Sequence, residues 1–294
     1  MALPNSLLPL RPMADSTATF FISTGRCATQ WFAAELESTY SDIAEVVHEP
    51  LQQIHYQPRH YFRIGDRNRE MLGIETIAKH FSHVKEVLQN KHYIETGWPA
   101  YSAIPLLAEE FKGRIKLVQL IRHPVTTALS MATHNVYDRG DWTEAVALTP
   151  FDEGAQQPEL AAAWPEMTLY EKCLFWWTEI HSYGKELQQQ FPDVPFHVCR
   201  YEEIFRKETG AFAELCRFLE LPVRERPERG EKRTDRFSSK TAPVDWKLIR
   251  KYPRTVELSE SFGYSLDDIS TADIKERYFP KFYRIRRMLG LLKS

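Results

Sequence analysis

The sequence predicts an α/β fold: a central parallel β-sheet flanked by helices. Two observations carry that expectation. Short apolar runs alternate with helical stretches along most of the chain, the order that buries a parallel sheet between two helical layers. The clearest run, Ile115–Ile121 (IKLVQLI), is β-branched, nearly continuous in its apolar character, and bounded by Gly113 and Pro124.

The elements follow in order. Ala18–Thr24 (ATFFIST) reads as a strand entering a Gly-containing turn, with a helix over Thr29–Tyr40 after it. Ile43–Val47 is a second apolar stretch, stopped at His48-Glu49-Pro50 because proline disfavours helix in the residue before it. Residues 51–69 are polar and rich in His, Arg and Gln, which predicts a loop, and helical patterning resumes over 70–89. His92–Thr96 is a short strand, with a helix over Tyr101–Phe111. After Ile121 a helix opens with Pro124 in its first turn, a favoured place for proline. Residues 137–165, with Gly140, Gly154 and several prolines, read as an irregular insertion and a candidate lid. A long helix over Thr168–Gln190, a strand at Pro195–Cys199 and a helix at Gly210–Leu219 complete the alternation. The expected organisation is one domain over 1–294 with the 137–165 stretch inserted.

At 294 residues the chain can bury a sizeable core, and 43% apolar with 27% charged residues is an ordinary globular balance. A net charge of -2 excludes a general nucleic-acid binder, so an anionic ligand must meet a local basic pocket. Cys27, Cys173, Cys199 and Cys216 are scattered with no CxxC pair, which favours reduced, buried thiols. The amino terminus is broken by Pro4, Pro9 and Pro12 and reads as neither signal peptide nor membrane span. Cytoplasmic residence is the expectation.

Ligands in parallel α/β sheets bind at the carboxyl ends of strands. The first such loop runs Ser23-Thr24-Gly25-Arg26-Cys27-Ala28-Thr29-Gln30-Trp31. A turn feeding a helix amino terminus presents unpaired N–H groups and partial positive charge, a nest suited to phosphate or sulfate. Arg26 adds a full charge and Thr29 a hydroxyl. The loop lacks the GxxxxGK[ST] pattern of a Walker A sequence. The second loop, RHPVTTALS, places Arg122 at the end of the best strand and Ser130 eight residues on, about two helical turns. Taken singly, each loop has a plainer account, a polar turn before a helix or an arginine capping a strand.

Together, in this order, the two loops resemble the cofactor-binding motifs of the sulfotransferases that use 3′-phosphoadenosine 5′-phosphosulfate (PAPS). STGRCATQW is similar to the first motif, with Arg26 where that family has Lys or Arg, and RHPVTTALS to the second. The resemblance extends through Arg200-Tyr201-Glu202-Glu203-Ile204, the FLELP ending of the next helix, and SSKTAPVDW near 238–246. Ala28 and Gln30 depart from the commoner Gly and hydroxyl residue.

The resemblance implies a P-loop NTPase-like sulfotransferase fold and transfer of a sulfuryl group from PAPS to an acceptor hydroxyl, with PAP released and no metal. It implies a 5′-phosphosulfate cradle from Gly25, Arg26, Cys27, Ala28, Thr29 and Gln30, and a 3′-phosphate site from Arg122 and Ser130. Tyr201 and Lys240 are further nucleotide candidates. Arg26 is implied to stabilise the oxygen that departs with PAP.

Family members acting on small phenols carry a histidine after the third strand, where this chain has Glu95-Thr96-Gly97. His48-Glu49-Pro50-Leu51 resembles the HEPL segment of carbohydrate sulfotransferases. Glu49 is therefore the first candidate for general base, His48 the second and Glu95 the third. That segment favours a carbohydrate or glycolipid acceptor over other hydroxylated metabolites.

Other features are read more plainly. His80 and His83, three apart on a helix, lack a third metal ligand and are expected at the surface. Phe175-Trp176-Trp177 is a core stripe before it is a sugar platform. The basic, apolar stretch Lys275–Lys293 reads as a packed surface helix, with peripheral contact to an anionic membrane as the alternative. Rival functions are a P-loop-like kinase or NTPase and a catalytically silent nucleotide-binding module.

Overall fold

A computed structural model describes residues 16–51, 56, 58–63, 65–224 and 244–278. Five strands form one sheet: β1 (Ala18–Ile22), β2 (Ala44–Val47), β3 (His92–Glu95), β4 (Ile115–Ile121) and β5 (Phe196–Arg200). Their order is β2-β3-β1-β4-β5, and every pairing is parallel. The order reverses direction around β1. Loops after β1, β2, β3 and β4 therefore converge on the carboxyl edge of the sheet, where such folds bind ligands.

The strands are buried on both faces. Along β1, Phe20 and Ile22 join one core cluster while Phe21 joins the other, as the two-residue side-chain period requires. The first face is covered by α3 (Glu75–Val87), α4 (Ile104–Glu110), α5 (Pro124–Thr133) and α7 (Leu169–Gln190). The second is covered by α1 (Thr29–Tyr40) and α9 (Ala211–Phe218). Short helices α2 (Pro58–Tyr61), α6 (Asp141–Val146) and α8 (Tyr201–Ile204) sit in connections. The last described residues form α10 (Pro253–Ser261) and α11 (Thr271–Tyr278).

Local chemistry sets several boundaries. Thr168 caps α7 in a full capping box with Glu171. Pro124 occupies the first turn of α5. The four cysteines are free and buried, and Phe175, Trp176 and Trp177 are core residues.

Three expectations need correction. The 51–69 loop contains α2 and the start of a 3₁₀ segment over Gly65–Gly73, so the following helix begins at Glu75. The 137–165 insertion is not wholly irregular: it holds α6 and 3₁₀ turns at Pro158–Ala162 and Trp164–Glu166. His80 is buried, not at the surface, because it faces the Glu95 carboxylate at 3.0 Å. His83 is exposed and lies 2.6 Å from Glu45. Among the described residues no group of three ligating side chains stands together for a metal. No described helix is long and apolar enough to cross a membrane. Lys240 and the basic residues beyond Tyr278 lie outside the described residues.

Candidate active site

The loop after β1 turns through positive φ at Gly25 (78°), Arg26 (59°) and Ala28 (63°). Arg26 and Ala28 carry a Cβ, so this conformation costs each on the order of 1–2 kcal/mol and must be held by its surroundings. The holds are visible. The Gly25 N–H donates to Ser23 Oγ at 2.9 Å, Thr24 Oγ1 donates to the Gly25 carbonyl at 3.0 Å, and Cys27 Sγ approaches the same carbonyl at 3.2 Å. A Cβ on Gly25 would stand 3.3 Å from the Trp98 ring, which closes one side of the turn.

The turn ends at α1, whose N-cap Ala28 has no side-chain cap and whose first turn has no acid. Its dipole end is therefore left for an external anion. Cys27 is buried, and burial pushes its thiol pKa up. It offers the site a backbone N–H and no thiolate. Gln30 is exposed.

Arg26 connects this turn to the loop after β4. Its carbonyl accepts from Arg122 Nη1 at 2.8 Å, and its own Nε donates to Ser130 Oγ at 3.1 Å. Arg122 and Ser130, two helical turns apart in sequence, thus meet one residue of the first loop. Arg122 is buried, with the Tyr201 ring centroid 4.7 Å from its Cζ and Tyr278 Oη 3.0 Å from Nη2. Burial opposes its charge, yet Tyr278, Tyr201, Cys27 and Glu202 raise its pKa overall, so it stays cationic. Its Nε is buried without a hydrogen-bond partner. Such a donor costs about 1–3 kcal/mol unless something accepts from it.

The loops after β2 and β3 supply the acids and histidines. His48 Nε2 lies 3.0 Å from Thr29 Oγ1 and 3.6 Å from Glu49 Oε1. Burial lowers the His48 pKa, partly offset by Glu49 and Glu95, and keeps the ring neutral at pH 7. Glu49 holds a φ of 47° before Pro50, another backbone position off the favoured map.

Its neighbour across the cleft is Gly97. A Cβ there would stand 2.6 Å from Glu49 Cγ and 2.9 Å from Glu49 N. No side chain fits at 97, because Glu49 occupies that space. Glu95, by contrast, is fully buried and accepts from Tyr56 at 3.0 Å and Tyr93 at 3.0 Å, with His80 Nε2 also at 3.0 Å. Its carboxylate braces the base of the third strand.

Sequence reasoning missed Trp98 against Gly25, the Thr29–His48 pair, Tyr278 on Arg122, and Arg139. Arg139, from the insertion, lies over Trp142 at 5.1 Å, and its pKa is lowered by desolvation and by the nearby Arg26 charge. The insertion therefore brings a second cation towards Arg26. Only the lid assignment of 137–165 hinted at such a role.

An uncapped helix terminus, a turn held at positive φ and a buried arginine with an unpartnered Nε meet at the switch of a parallel α/β sheet, an arrangement whose chemistry suits an anion. The comparisons narrow the class. A family model described as "Sulfotransferase domain" matches residues 17–247. The chain belongs to the sulfotransferase domain family.

A sulfotransferase structure from Alicyclobacillus acidocaldarius superposes with a TM-score of 0.52 at 17% identity, covering 86% of this chain and 98% of that one. The sulfotransferase domain from the curacin biosynthetic pathway gives 0.48 at 15% identity over 85% and 99%. Mouse sulfotransferase SULT7A1, solved with PAP, gives 0.39 at 15% over 93% and 82%. A search of curated proteins finds no match.

Proposed function

We propose that this sulfotransferase uses PAPS and transfers its sulfuryl group to the hydroxyl of a carbohydrate, a glycolipid or another hydroxylated metabolite, releasing PAP. One observation carries the reading: Arg26 touches both Arg122 and Ser130 while standing at the mouth of the uncapped α1 terminus. Two anion-binding groups so close suit the two ends of one adenosine bisphosphate. The buried, unpartnered Nε of Arg122 supports a phosphate oxygen as its acceptor.

When bound, the nucleotide supplies an activated sulfuryl group as a mixed phosphate–sulfate anhydride. The chain's own residues do the rest. Backbone N–H groups of residues 26–30 hold the 5′ end, and Arg122 and Ser130 hold the 3′-phosphate. Tyr201 supports Arg122, and Lys240 is a further nucleotide contact. Arg26, with Arg139 near it, offsets charge on the oxygen that leaves with PAP. Glu49 takes the proton of the acceptor hydroxyl as that oxygen bonds to sulfur and the sulfur–oxygen bond to PAP breaks.

His48 stands between Thr29 and Glu49 and orients both. Glu49 is favoured over Glu95 because the latter is enclosed by three hydrogen bonds inside the fold. A cytoplasmic setting belongs to the same reading, supported by four buried free thiols.

Thermal melts with PAP, with ATP–magnesium and with GTP test the donor. PAP is expected to raise the melting temperature most, since a ligand bound only by the folded state stabilises it. A larger shift with ATP–magnesium would favour the kinase reading. PAP binding without PAPS consumption across a broad acceptor panel would favour a silent module. Arg26→Ala is expected to lower turnover at least about 100-fold, the usual cost of removing an electrostatic stabiliser, with little change in PAP affinity.

A further inference from the structure

The matched family region ends at residue 247, yet the chain beyond it reaches the loop after β4 at three points. The Tyr264 hydroxyl donates to Glu202 at 2.7 Å, and the other Glu202 oxygen accepts the His123 N–H at 3.0 Å. His123 Nε2 lies 3.1 Å from the Ser265 carbonyl. Tyr278, in the last described turn of α11 and 2% exposed, donates its hydroxyl to the Thr126 carbonyl at 2.9 Å and accepts from Arg122 Nη2 at 3.0 Å.

The third contact has a chemical consequence. A phenol has one proton, and here Thr126 takes it, so a lone pair is what meets Arg122. The guanidinium is then pinned at Nη2 by Tyr278, at Nη1 by the Arg26 carbonyl, and by the Tyr201 ring near its Cζ. The guanidinium nitrogen that has no protein partner at all is Nε, buried and fixed in direction. We propose that Tyr278 is a positioning residue for donor binding: it locks the Arg122 guanidinium so that its Nε edge is reserved for a phosphate oxygen. The anion site is thus completed by a C-terminal helix outside the family region. This inference rests on the PAPS reading above.

The test compares PAP titration calorimetry and steady-state kinetics of the full chain with Tyr278→Phe, Ile274→Ala and Arg122→Lys. Ile274 is a buried core residue of the same helix, so its truncation lowers stability while the Tyr278 hydroxyl keeps its contacts with Thr126 and Arg122. Tyr278→Phe should weaken PAP binding and raise the KM for PAPS together, by about tenfold, the worth of one charge-assisted hydrogen bond, with kcat at saturation kept. Ile274→Ala should lower the melting temperature and leave PAP affinity unchanged.

Tyr278→Phe binding PAP like the unaltered chain, or Ile274→Ala weakening it equally, overturns the proposal. If Arg122→Lys loses PAP while Tyr278→Phe does not, this inference falls and the donor assignment stands. If the unaltered chain itself does not bind PAP, both fall. One readout needs no variant: the Arg122 Nε–H proton resonance should move on adding PAP, and an unmoved resonance contradicts the assignment.

Discussion

Gly97 and Glu49 show how one absent side chain decides a local chemistry. Gly97 stands where the resemblance implies a histidine in members acting on phenols, and Glu49, at positive φ, fills the space that a Cβ at 97 would need. Gly97→Ala should displace the Glu49 backbone, costing roughly 1–3 kcal/mol of stability, and cut turnover more than tenfold while PAP affinity holds. Glu49→Gln, which keeps the shape and removes the base, should nearly abolish transfer with PAP binding intact. Rate and calorimetry on the two variants check this, and full activity in Glu49→Gln would remove the carboxylate from its role.

At this scale the meeting of Arg26 with Arg122 and Ser130 was legible in the resemblance of their two loops to paired cofactor motifs, and Glu49 stands as a candidate through the HEPL-like segment. Trp98, Arg139 and Tyr278 were not legible. Trp98 and Tyr278 meet Gly25 and Arg122 across tertiary contacts that no local pattern encodes.

The insertion between α5 and α7 carries Arg139, the cation proposed to act beside Arg26. It is fastened by Arg59, which donates to Asp152 at 2.8 Å, and by Arg63, which binds Glu179 and Glu186. Glu179 is 1% exposed and also accepts from the Gln156 N–H and Gln157 Nε2. Arg63→Met would leave that carboxylate buried without its cation, a loss of about 3–5 kcal/mol. A denaturant midpoint unchanged from the native protein would contradict the fastening role.

Sequence pattern located this segment but underestimated its order. Its holds are the Arg59–Asp152 ion pair, a hydrogen bond from Arg63 to the Gly154 carbonyl, and hydrogen bonds from Gln156 and Gln157 to Glu179, none of them between sequence neighbours. Strands and long helices were the opposite case. Ile115–Ile121 matched its observed limits because apolar run, Gly113 and Pro124 all agree on them.

For the molecule as a whole, a parallel sheet was implied by alternation alone, and every observed pairing is parallel. What alternation cannot reveal is how many histidines the fold buries uncharged. His181, on α7, is fully buried against Gln119 of β4 and Phe262, and burial lowers its pKa to about 3. Burial also lowers His48, His92, His123 and His197.

Folded pKa values below the unfolded value near 6.5 mean that the unfolded chain binds more protons once pH drops below about 6.5. Stability is therefore full above that pH and is lost as pH falls towards each folded value. His181 alone contributes on the order of 1 kcal/mol per pH unit. Melts from pH 7.5 to 4.5 should show a falling midpoint, and His181→Gln should flatten the slope. An acid limb of the same steepness in that variant would assign the loss elsewhere.

The most direct test of the central claim is a structure determined with PAP bound. The account predicts the 5′-phosphate among the N–H groups of residues 26–30 and the 3′-phosphate on Arg122 and Ser130, with Glu49 facing the vacated sulfuryl position. A nucleotide seated away from that turn, or one whose 3′-phosphate meets neither Arg122 nor Ser130, would contradict it.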